Sequence, residues 1–298
     1  MFKSTFKRIV IVFAIAAGLI CGNSFHRIGV SGDDSLLSSK FDQELKSDIP
    51  SEITTISGIE MVLIPAGEFT TSYIMERLTK SRRIIITEPF YLGKYPVTQS
   101  QWEEIMGSNP SKFKGDSDSP VENVTWDTVQ EFIQRINAKE STNRYRLPTD
   151  AEWEYAVRAN TQTKYFWGDE IAYMDKYVWH RENSGAKTHP VGMKLPNQWG
   201  LYDMLGNVYE LVQDKIDGKY YIYNDIIDYY DDASVLIDPV GNSYIQPNYH
   251  PDLFNTLRGW SWSSGRTEIS VDKRSPGLIF YLDKESGNIG FRLSSSVD

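Results

Sequence analysis

The spacing of glycine and proline between positions 168 and 206 constrains the fold of this chain more than any other feature. These residues recur throughout the segment, for example at Gly168, Pro190, Gly192, Pro196, Gly200 and Gly206. Glycine and proline are the strongest local breakers of regular structure. The segment therefore favours long loops and short strands. A chain of 298 residues is long enough for one large domain or two small ones.

Three segments before position 160 carry helical signals. Thr98 with Gln101, and Thr149 with Glu152, match the capping box, in which the side chains of the N-cap and N3 residues bond to each other's backbone. A third helix is predicted over about 126–137 from its apolar spacing. The residues that these patterns assign to the core are Trp102, Ile105, Met106, Val129, Phe132, Ile133, Ile136, Trp153, Ala156 and Val157.

Strands are predicted within residues 61–69 and over 90–95, where Pro96 ends the run. Residues 215–256 form a distinct insert in which tyrosines alternate with aspartates. Tyrosine offers rigid amphipathic contact area, so the insert is either a binding surface or a solvated loop with some strand pairing. The sequence patterns together predict three capped helices, scattered short strands and many loops.

The first residues have the pattern of a signal peptide. Basic side chains precede an apolar run of twelve residues, 9–20. A membrane span needs about 20 apolar residues, whereas the apolar core of a signal peptide is shorter. We expect a signal peptide over 1–24; an uncleaved anchor is the alternative. The basic residues are Lys3, Lys7 and Arg8.

Cys21 is the only cysteine of the chain. It stands where a bacterial lipoprotein carries its lipid, but Ile20 disfavours lipidation because a small residue is usual there. We expect a polar lead-in over 25–57 and the folded domain over 58–298, exported to the periplasm, the medium or the cell surface. Contact with a membrane is expected only through an uncleaved or lipidated N-terminus.

The net charge of the chain is −9 and its pI is about 5.1. Proteins that bind nucleic acids present a basic patch or stripe. We therefore expect no nucleic-acid partner.

Eight segments, in order, resemble the formylglycine-generating enzyme family, also called sulfatase-modifying factors. They are "MVLIPAGEF", "FYLGKYPVTQSQWEE", "PVENVTWDTVQEFI", "YRLPTDAEWEYAVRA", "NQWGLYDMLGNVYEL", "DPVG", "LRGWSW" and "NIGFRL". The resemblance covers about residues 58–294. It implies one compact α+β domain related to the C-type lectin fold, and it says less about activity because function depends on the site that a fold carries.

The resemblance implies that active members oxidise a cysteine of a client sulfatase to formylglycine, with oxygen and a copper ion held by two thiolates. Thiolates are the soft ligands that select Cu(I). The corresponding positions here are Ser264 and Ile269, and no cysteine follows Cys21. Trp260 also stands where the family usually has a second glycine. We expect copper to be absent. Histidine imidazoles could offer other ligands, but the four histidines are scattered along the sequence, at His26, His180, His189 and His250.

The resemblance further implies structural calcium at the segment Gly206, Asn207, Val208 and Glu210. Calcium is a hard cation that takes carboxylate, amide and carbonyl oxygens. The alternative is that Asn207 and Glu210 stabilise a turn without metal.

Three functions stay open on these grounds. The first is a non-catalytic pseudoenzyme that binds an exported protein, peptide or glycan through its cleft. The others are copper-dependent formylglycine-type oxidation and a divergent oxidation in the same cleft. For the first function we expect the binding face to include Trp260, Trp262, Arg266, Arg274 and Tyr281.

Overall fold

The computed structural model describes residues 49–75, 78–217, 235–239, 253–272 and 286–297. Its strands are β1 (Glu52–Thr54), β2 (Glu60–Ile64), β3 (Gly67–Met75), β4 (Leu78–Ile86), β5 (Phe90–Gly93), β6 (Tyr145–Arg146), β7 (Tyr209–Asp217), β8 (Val235–Ile237), β9 (Leu253–Arg258), β10 (Ile289–Phe291) and β11 (Ser294–Ser296). Its helices are α1 (Gln99–Met106), α2 (Trp126–Lys139), α3 (Asp150–Arg158), a 3₁₀ turn (Ile171–Tyr173) and α4 (Met174–Tyr177).

A five-stranded antiparallel sheet brings the two ends of the described chain together. Its order is β1-β2-β5-β11-β6. Strand β1 lies within residues 25–57, for which the sequence predicted a lead-in, and the folded unit extends from Pro50. The difference arises because β1 is held by backbone pairing to β2, which a polar sequence does not reveal. The side chain of Tyr91 also donates to the carbonyl of Pro50 at 2.8 Å.

The three predicted helices are present. The capping boxes at Thr98 and Thr149 form as predicted, and Thr125 adds a third with Thr128. Of the residues expected in the core, all are buried except Ile105 and Met106, which are half-buried near the C-terminal end of α1. Helix α1 packs on α2, where the rings of Trp102 and Phe132 stack with centroids 5.3 Å apart.

Two smaller sheets complete the described architecture. In one, β7 pairs parallel with β10 and antiparallel with β9. The register places Ile289 opposite Tyr209, and Arg258 opposite Glu210. The start of β7, the start of β10 and the end of β9 therefore meet at one end of this sheet, and the segment 259–272 leaves the sheet there.

The third sheet has the order β3-β4-β8. Strand β8 lies inside the predicted insert 215–256, and residues 218–234 and 240–252 of that insert lie outside the described residues. Residues 159–208 contain two short helical segments and only isolated β-bridges, so the predicted long loops are present and the predicted short strands are not. The structure thus confirms the α+β class. Within the described ranges, no helix is long and apolar enough to cross a membrane.

Candidate functional site

The segment after β9 is fixed at its base by a buried arginine. The Arg258 guanidinium contacts both oxygens of Asp150, at 2.5 and 2.8 Å, and Oε2 of Glu154 at 2.8 Å. Its side chain is fully buried. Gly259 follows with φ +88°, and a Cβ there would lie 3.1 Å from the carbonyl oxygen of Met204. The chain must therefore turn at Gly259 in close contact with its neighbours.

Trp260 lies below the surface and not on it. Its side chain is 7% exposed, and its Nε1 donates to the carbonyl of Ser270 at 3.2 Å. Its φ is +65°, a conformation that glycine adopts readily and that other residues adopt only at a cost in conformational free energy. The backbone thus keeps a shape suited to glycine, while the indole fills interior space near Tyr209. We predicted Trp260 to line the binding face; its burial gives it a supporting position instead.

The two positions where the resemblance expects thiolates are buried. Ser264 is 2% exposed; its Oγ lies 2.9 Å from the hydroxyl of Tyr209 and accepts from the backbone N of Ser261 at 3.2 Å. Ile269 is fully buried and offers no ligand atom. No group of three His, Cys, Asp or Glu side chains in the described part of the chain could hold a metal ion. These residues therefore do not fit a Cu(I) ion.

Further hydroxyl groups lie beside Ser264 at this end of the sheet. The Oγ atoms of Ser261 and Ser263 are 2.9 Å apart, and Asn288 Nδ2 donates to Ser263 Oγ at 3.4 Å. A serine nucleophile needs an adjacent base, and Ser264 bonds to a tyrosine and a backbone amide. Nothing in this cluster activates a nucleophile.

Neither described histidine beside this cluster serves as that base. Nε2 of His189 bonds to the carbonyl of Ser184 at 2.7 Å. The ring of His180 lies between carboxylates, with Nε2 2.7 Å from Asp175 and Nδ1 2.6 Å from Glu182. Both histidines are thus committed to contacts elsewhere.

The accessible part of the segment presents an aromatic ring and a cation, and Arg181 adds a second cation from a neighbouring loop. Trp262 is half-buried; its ring meets Phe113 edge to face at 5.4 Å, and its Nε1 donates to Gly287 O at 2.9 Å. Arg266 has a side chain that is 33% exposed and donates to the carbonyl of Ile171 at 3.1 Å. Arg181 is exposed and supports the turn by donating from Nε to Ser263 O at 2.8 Å.

We call Trp262, Ser263, Arg266 and Arg181 the 262–266 surface. Of the five residues predicted for the binding face, Trp262 and Arg266 lie here. Arg274 and Tyr281 lie outside the described residues. Sequence reasoning missed Arg181, Ser263, Asn288 and the contact of Tyr209 with Ser264, because they come from segments far apart in the chain.

The segment expected to bind calcium is occupied by other contacts. Both oxygens of Glu210 face the guanidinium of Arg292, with Nε–Oε2 and Nη2–Oε1 distances of 2.7 Å, and Trp153 Nε1 donates to Oε2 at 2.7 Å. Glu210 and Arg292 are fully buried. A calcium ion at this carboxylate would face a fixed positive charge at close range. This arrangement of Glu210 does not fit a calcium ligand.

Asn207 is likewise engaged. Its Oδ1 accepts from the backbone N of His189 at 3.1 Å, and its Nδ2 donates to His189 O at 3.0 Å. Gly206 has φ +85°, and a Cβ there would lie 2.3 Å from Trp179 O; Val208 is buried. These contacts support the alternative in which the motif fixes a turn, and calcium binding stays a prediction.

A titratable group lies under the same segment. Burial raises the pKa of Asp203 to about 6, although the backbone N of Gly192 donates to its Oδ2 at 2.7 Å and Arg292 is nearby. Desolvation disfavours the charged form of the carboxyl. The hydrogen bond from Gly192 and the positive charge of Arg292 favour the charged form, but they offset the effect of desolvation only in part. Asp203 therefore titrates in mildly acidic solution.

Comparison with known proteins assigns the chain to a family. A model described as "Sulfatase-modifying factor enzyme 1-like domain" matches residues 46–297. The chain belongs to this family. Among solved structures, Treponema denticola variable protein 1 superposes with a TM-score of 0.65 at 26% identity, over 83% of this chain and 100% of that one.

Two curated relatives carry different names. Chaperone protein LppX of Paenibacillus barcinonensis is 33% identical over 206 residues, which are 53% of this chain and 71% of that protein. The formylglycine-generating enzyme of Streptomyces coelicolor is 28% identical over 217 residues, 68% of this chain and 60% of that enzyme. The chain spans less than two thirds of the enzyme's length, so membership in the family does not by itself carry the enzyme's activity.

Proposed function

We propose that this protein is an exported, non-catalytic member of the family that binds another exported protein, a peptide or a glycan through the 262–266 surface. The observation that carries the proposal is the chemistry at Ser264 and Ile269. One is a serine closed onto Tyr209, and the other is a buried aliphatic residue. Neither supplies the soft ligand that Cu(I) selects.

The accessible chemistry of the surface supports a binding role. Trp262 and Arg266 belong to the residue types that are enriched among the strongest contributors to protein interfaces. Both are held by backbone contacts, to Gly287 and Ile171 respectively, which limits the entropy lost on binding. A relative named as a chaperone favours a protein or peptide as the occupant. The export of the chain is supported by its basic and apolar N-terminal run.

The alternative function is formylglycine-type oxidation of a cysteine in another exported protein, or a divergent oxidation in the same cleft. It is favoured by the similarity to the Streptomyces enzyme. In active members, copper supplies the oxygen chemistry, and it would require ligands that this chain does not offer at Ser264 and Ile269.

Activity and metal binding separate these functions. The full-length protein is incubated with Cu(I), oxygen, a reductant and a cysteine-containing sulfatase peptide, and the peptide mass is followed. We expect no formylglycine product and no stoichiometric Cu(I). The matched variant S264C/I269C should gain stoichiometric Cu(I), because it restores two thiolates at these positions. Turnover by the unaltered protein would refute the non-catalytic proposal.

Binding is tested with a displayed peptide library and a glycan panel. Trp262→Ala and Arg266→Ala should each lower the affinity for a selected ligand more than tenfold, which is the effect expected of central interface residues. Arg135→Ala is the control, since Arg135 lies on the exposed face of α2 in an ion pair with Glu131. Equal binding by all variants would exclude the 262–266 surface as the binding site.

A further inference from the structure

His180 is buried between two carboxylates at the start of the turn formed by residues 180–184. Its side chain is 1% exposed, whereas those of Asp175 and Glu182 are 58% and 51% exposed. Nε2 lies 2.7 Å from Oδ1 of Asp175, and Nδ1 lies 2.6 Å from Oε2 of Glu182. Both ring nitrogens thus face carboxylate oxygens at hydrogen-bonding distance.

This arrangement requires a proton on each ring nitrogen. An ionised carboxylate only accepts hydrogen bonds, and an imidazole donates from both nitrogens only in its charged form. The hydrogen bond from His180 holds the pKa of Asp175 below its usual range. Burial acts to raise the pKa of Glu182, but the hydrogen bonds from His180 and from the backbone lower it overall. Both carboxylates are therefore ionised at neutral pH, and the contacts are those of a charged His180 ring.

The neutral form of the ring has a different partner within reach. The backbone N of Glu182 lies 3.3 Å from Nδ1 of His180 and can donate to it. A neutral imidazole has one donor and one acceptor nitrogen, so Nε2 can keep its bond to Asp175 while Nδ1 accepts from this N–H. The carboxylate of Glu182 would then face a lone pair, and because it is half exposed it can move into solvent. Loss of the proton therefore exchanges one contact of Glu182 for another.

The turn that contains Glu182 also supports the backbone of the 262–266 surface. Arg181 donates from its backbone N to Ser264 O at 3.0 Å. Ser184 Oγ donates to Trp262 O at 3.0 Å. Glu182 lies between these two donors in the sequence, so a change in the position of its backbone is transmitted to the surface through both hydrogen bonds.

Three cations lie around the contacts of His180. Arg266 Nη2 is 4.0 Å from Asp175 Oδ1, and Lys194 Nζ donates to the backbone carbonyl of Asp175. Arg181 is the next residue in the chain. The positive charges of these side chains oppose the charge on His180, whereas the two carboxylates that bond to the ring favour it.

Three further titratable groups lie near the turn. Glu268 is 4.0 Å from Arg181, and Nε2 of His189 lies 2.7 Å from Ser184 O. Burial lowers the pKa of His189 and raises the pKa of Asp203 to about 6. The titration of these groups has to be distinguished from that of His180 by measurement.

We propose that His180 makes the 262–266 surface dependent on pH. The charged ring bonds to Asp175 and Glu182 and fixes the turn 180–184 behind the surface. As the pH rises and the ring loses its proton, the carboxylate of Glu182 is released, the turn moves, and the surface loses the arrangement described above. This regulation rests on the proposed function, in which the same surface binds the ligand.

NMR spectra of the full-length protein test the proposal without any ligand. They are recorded between about pH 5 and 8.5, a range that covers the ordinary titration of histidine. The ring nitrogens of His180 and the indole N–H of Trp262 are followed together. We expect both ring nitrogens to carry a proton at the acidic end, and the Trp262 signal to move with the same midpoint as the His180 ring.

Glu182→Gln removes one of the two carboxylates and should fold, because the side chain is half exposed. It should lower the common midpoint by about 0.5 pH unit, the effect of losing a half-exposed ion pair. Glu268→Gln is the matched control, because Glu268 is 47% exposed and faces Arg181; it should leave the midpoint unchanged. Asp203→Asn removes a second group that titrates in this range and should leave the movement of the Trp262 signal intact.

The proposal is overturned if the Trp262 signal does not follow the His180 ring, or if the ring is neutral at the acidic end. It is also overturned if Glu182→Gln and Glu268→Gln have equal effects, or if Asp203→Asn abolishes the movement. These results do not depend on a ligand. A surface that responds to pH as described but binds neither peptide nor glycan would refute the proposed function alone.

Discussion

Trp260 combines a costly backbone conformation with a large buried side chain, and two substitutions separate these contributions. Its φ of +65° costs a residue with a Cβ about 1–2 kcal/mol relative to glycine. Its indole is 7% exposed and donates to Ser270 O. Trp260→Ala removes the indole and keeps the backbone cost, whereas Trp260→Gly removes both.

The magnitudes follow from these two contributions. Loss of a buried tryptophan side chain lowers the free energy of unfolding by about 3–5 kcal/mol. Glycine regains the backbone cost at position 260 but loses about 0.4–1 kcal/mol through the greater freedom of the unfolded chain. We therefore expect Trp260→Gly to be about 1 kcal/mol more stable than Trp260→Ala, and both to be less stable than the unaltered protein.

The assay is urea unfolding followed by circular dichroism. Gln134 on α2 provides the control pair, since alanine should be about 1 kcal/mol more stable than glycine within a helix. The two sites should thus rank alanine and glycine in opposite orders. If alanine is also the more stable residue at position 260, the argument from backbone strain is refuted.

Three further predictions concern the buried groups behind the site. Arg292→Ala leaves Glu210 as an unpaired buried charge and should cost about 3–5 kcal/mol in urea unfolding, against less than about 1 kcal/mol for Arg135→Ala in an exposed pair; equal losses would contradict the buried pairing. A calcium chelator separates the two interpretations of Glu210: a fall in melting temperature that Glu210→Gln abolishes would establish the calcium site, whereas an unchanged melting temperature would support the turn held by Arg292. The raised pKa of Asp203 favours the protonated carboxyl in the folded state, so its stabilisation is complete below about pH 4 and is lost as the pH rises through about 6, by up to about 3 kcal/mol. Asp203→Asn should reduce the dependence of the free energy of unfolding on pH. If the slope of that dependence is the same in the variant, Asp203 is excluded as its source.

Local patterns were sufficient to predict the helices. The capping boxes at Thr98 and Thr149 depend on residues only three positions apart, so the sequence contains the whole interaction. The loop-rich segment 159–208 followed from its glycines and prolines in the same way. Strand β1 could not be predicted like this, because its pairing to β2 involves backbone groups and leaves no periodic pattern of side chains.

The site depends on contacts between distant segments. Trp260 was expected at the surface, and only the contact with Ser270 and the neighbouring Tyr209 show that its ring points inward. Glu210 lies in the segment to which the resemblance assigns calcium, and only the structure shows that its carboxylate meets Arg292, which lies 82 positions away. A motif gives the type of residue at such a position, whereas its partner is determined by the packing of the whole domain.

This dependence explains why the resemblance specifies the fold better than the activity. Several motifs that carry it contribute to buried ion pairs: Asp150 and Glu154 in "YRLPTDAEWEYAVRA" bind Arg258 in "LRGWSW", and Glu210 in "NQWGLYDMLGNVYEL" binds Arg292 in "NIGFRL". Removing one member of such a pair leaves an uncompensated buried charge, so these residues maintain the architecture with or without a reaction. The positions to which the resemblance assigns the thiolates are only two, Ser264 and Ile269, and both lie in the segment after β9. Arg258 holds the base of that segment in place through Asp150 and Glu154, which are contacts that do not involve either position.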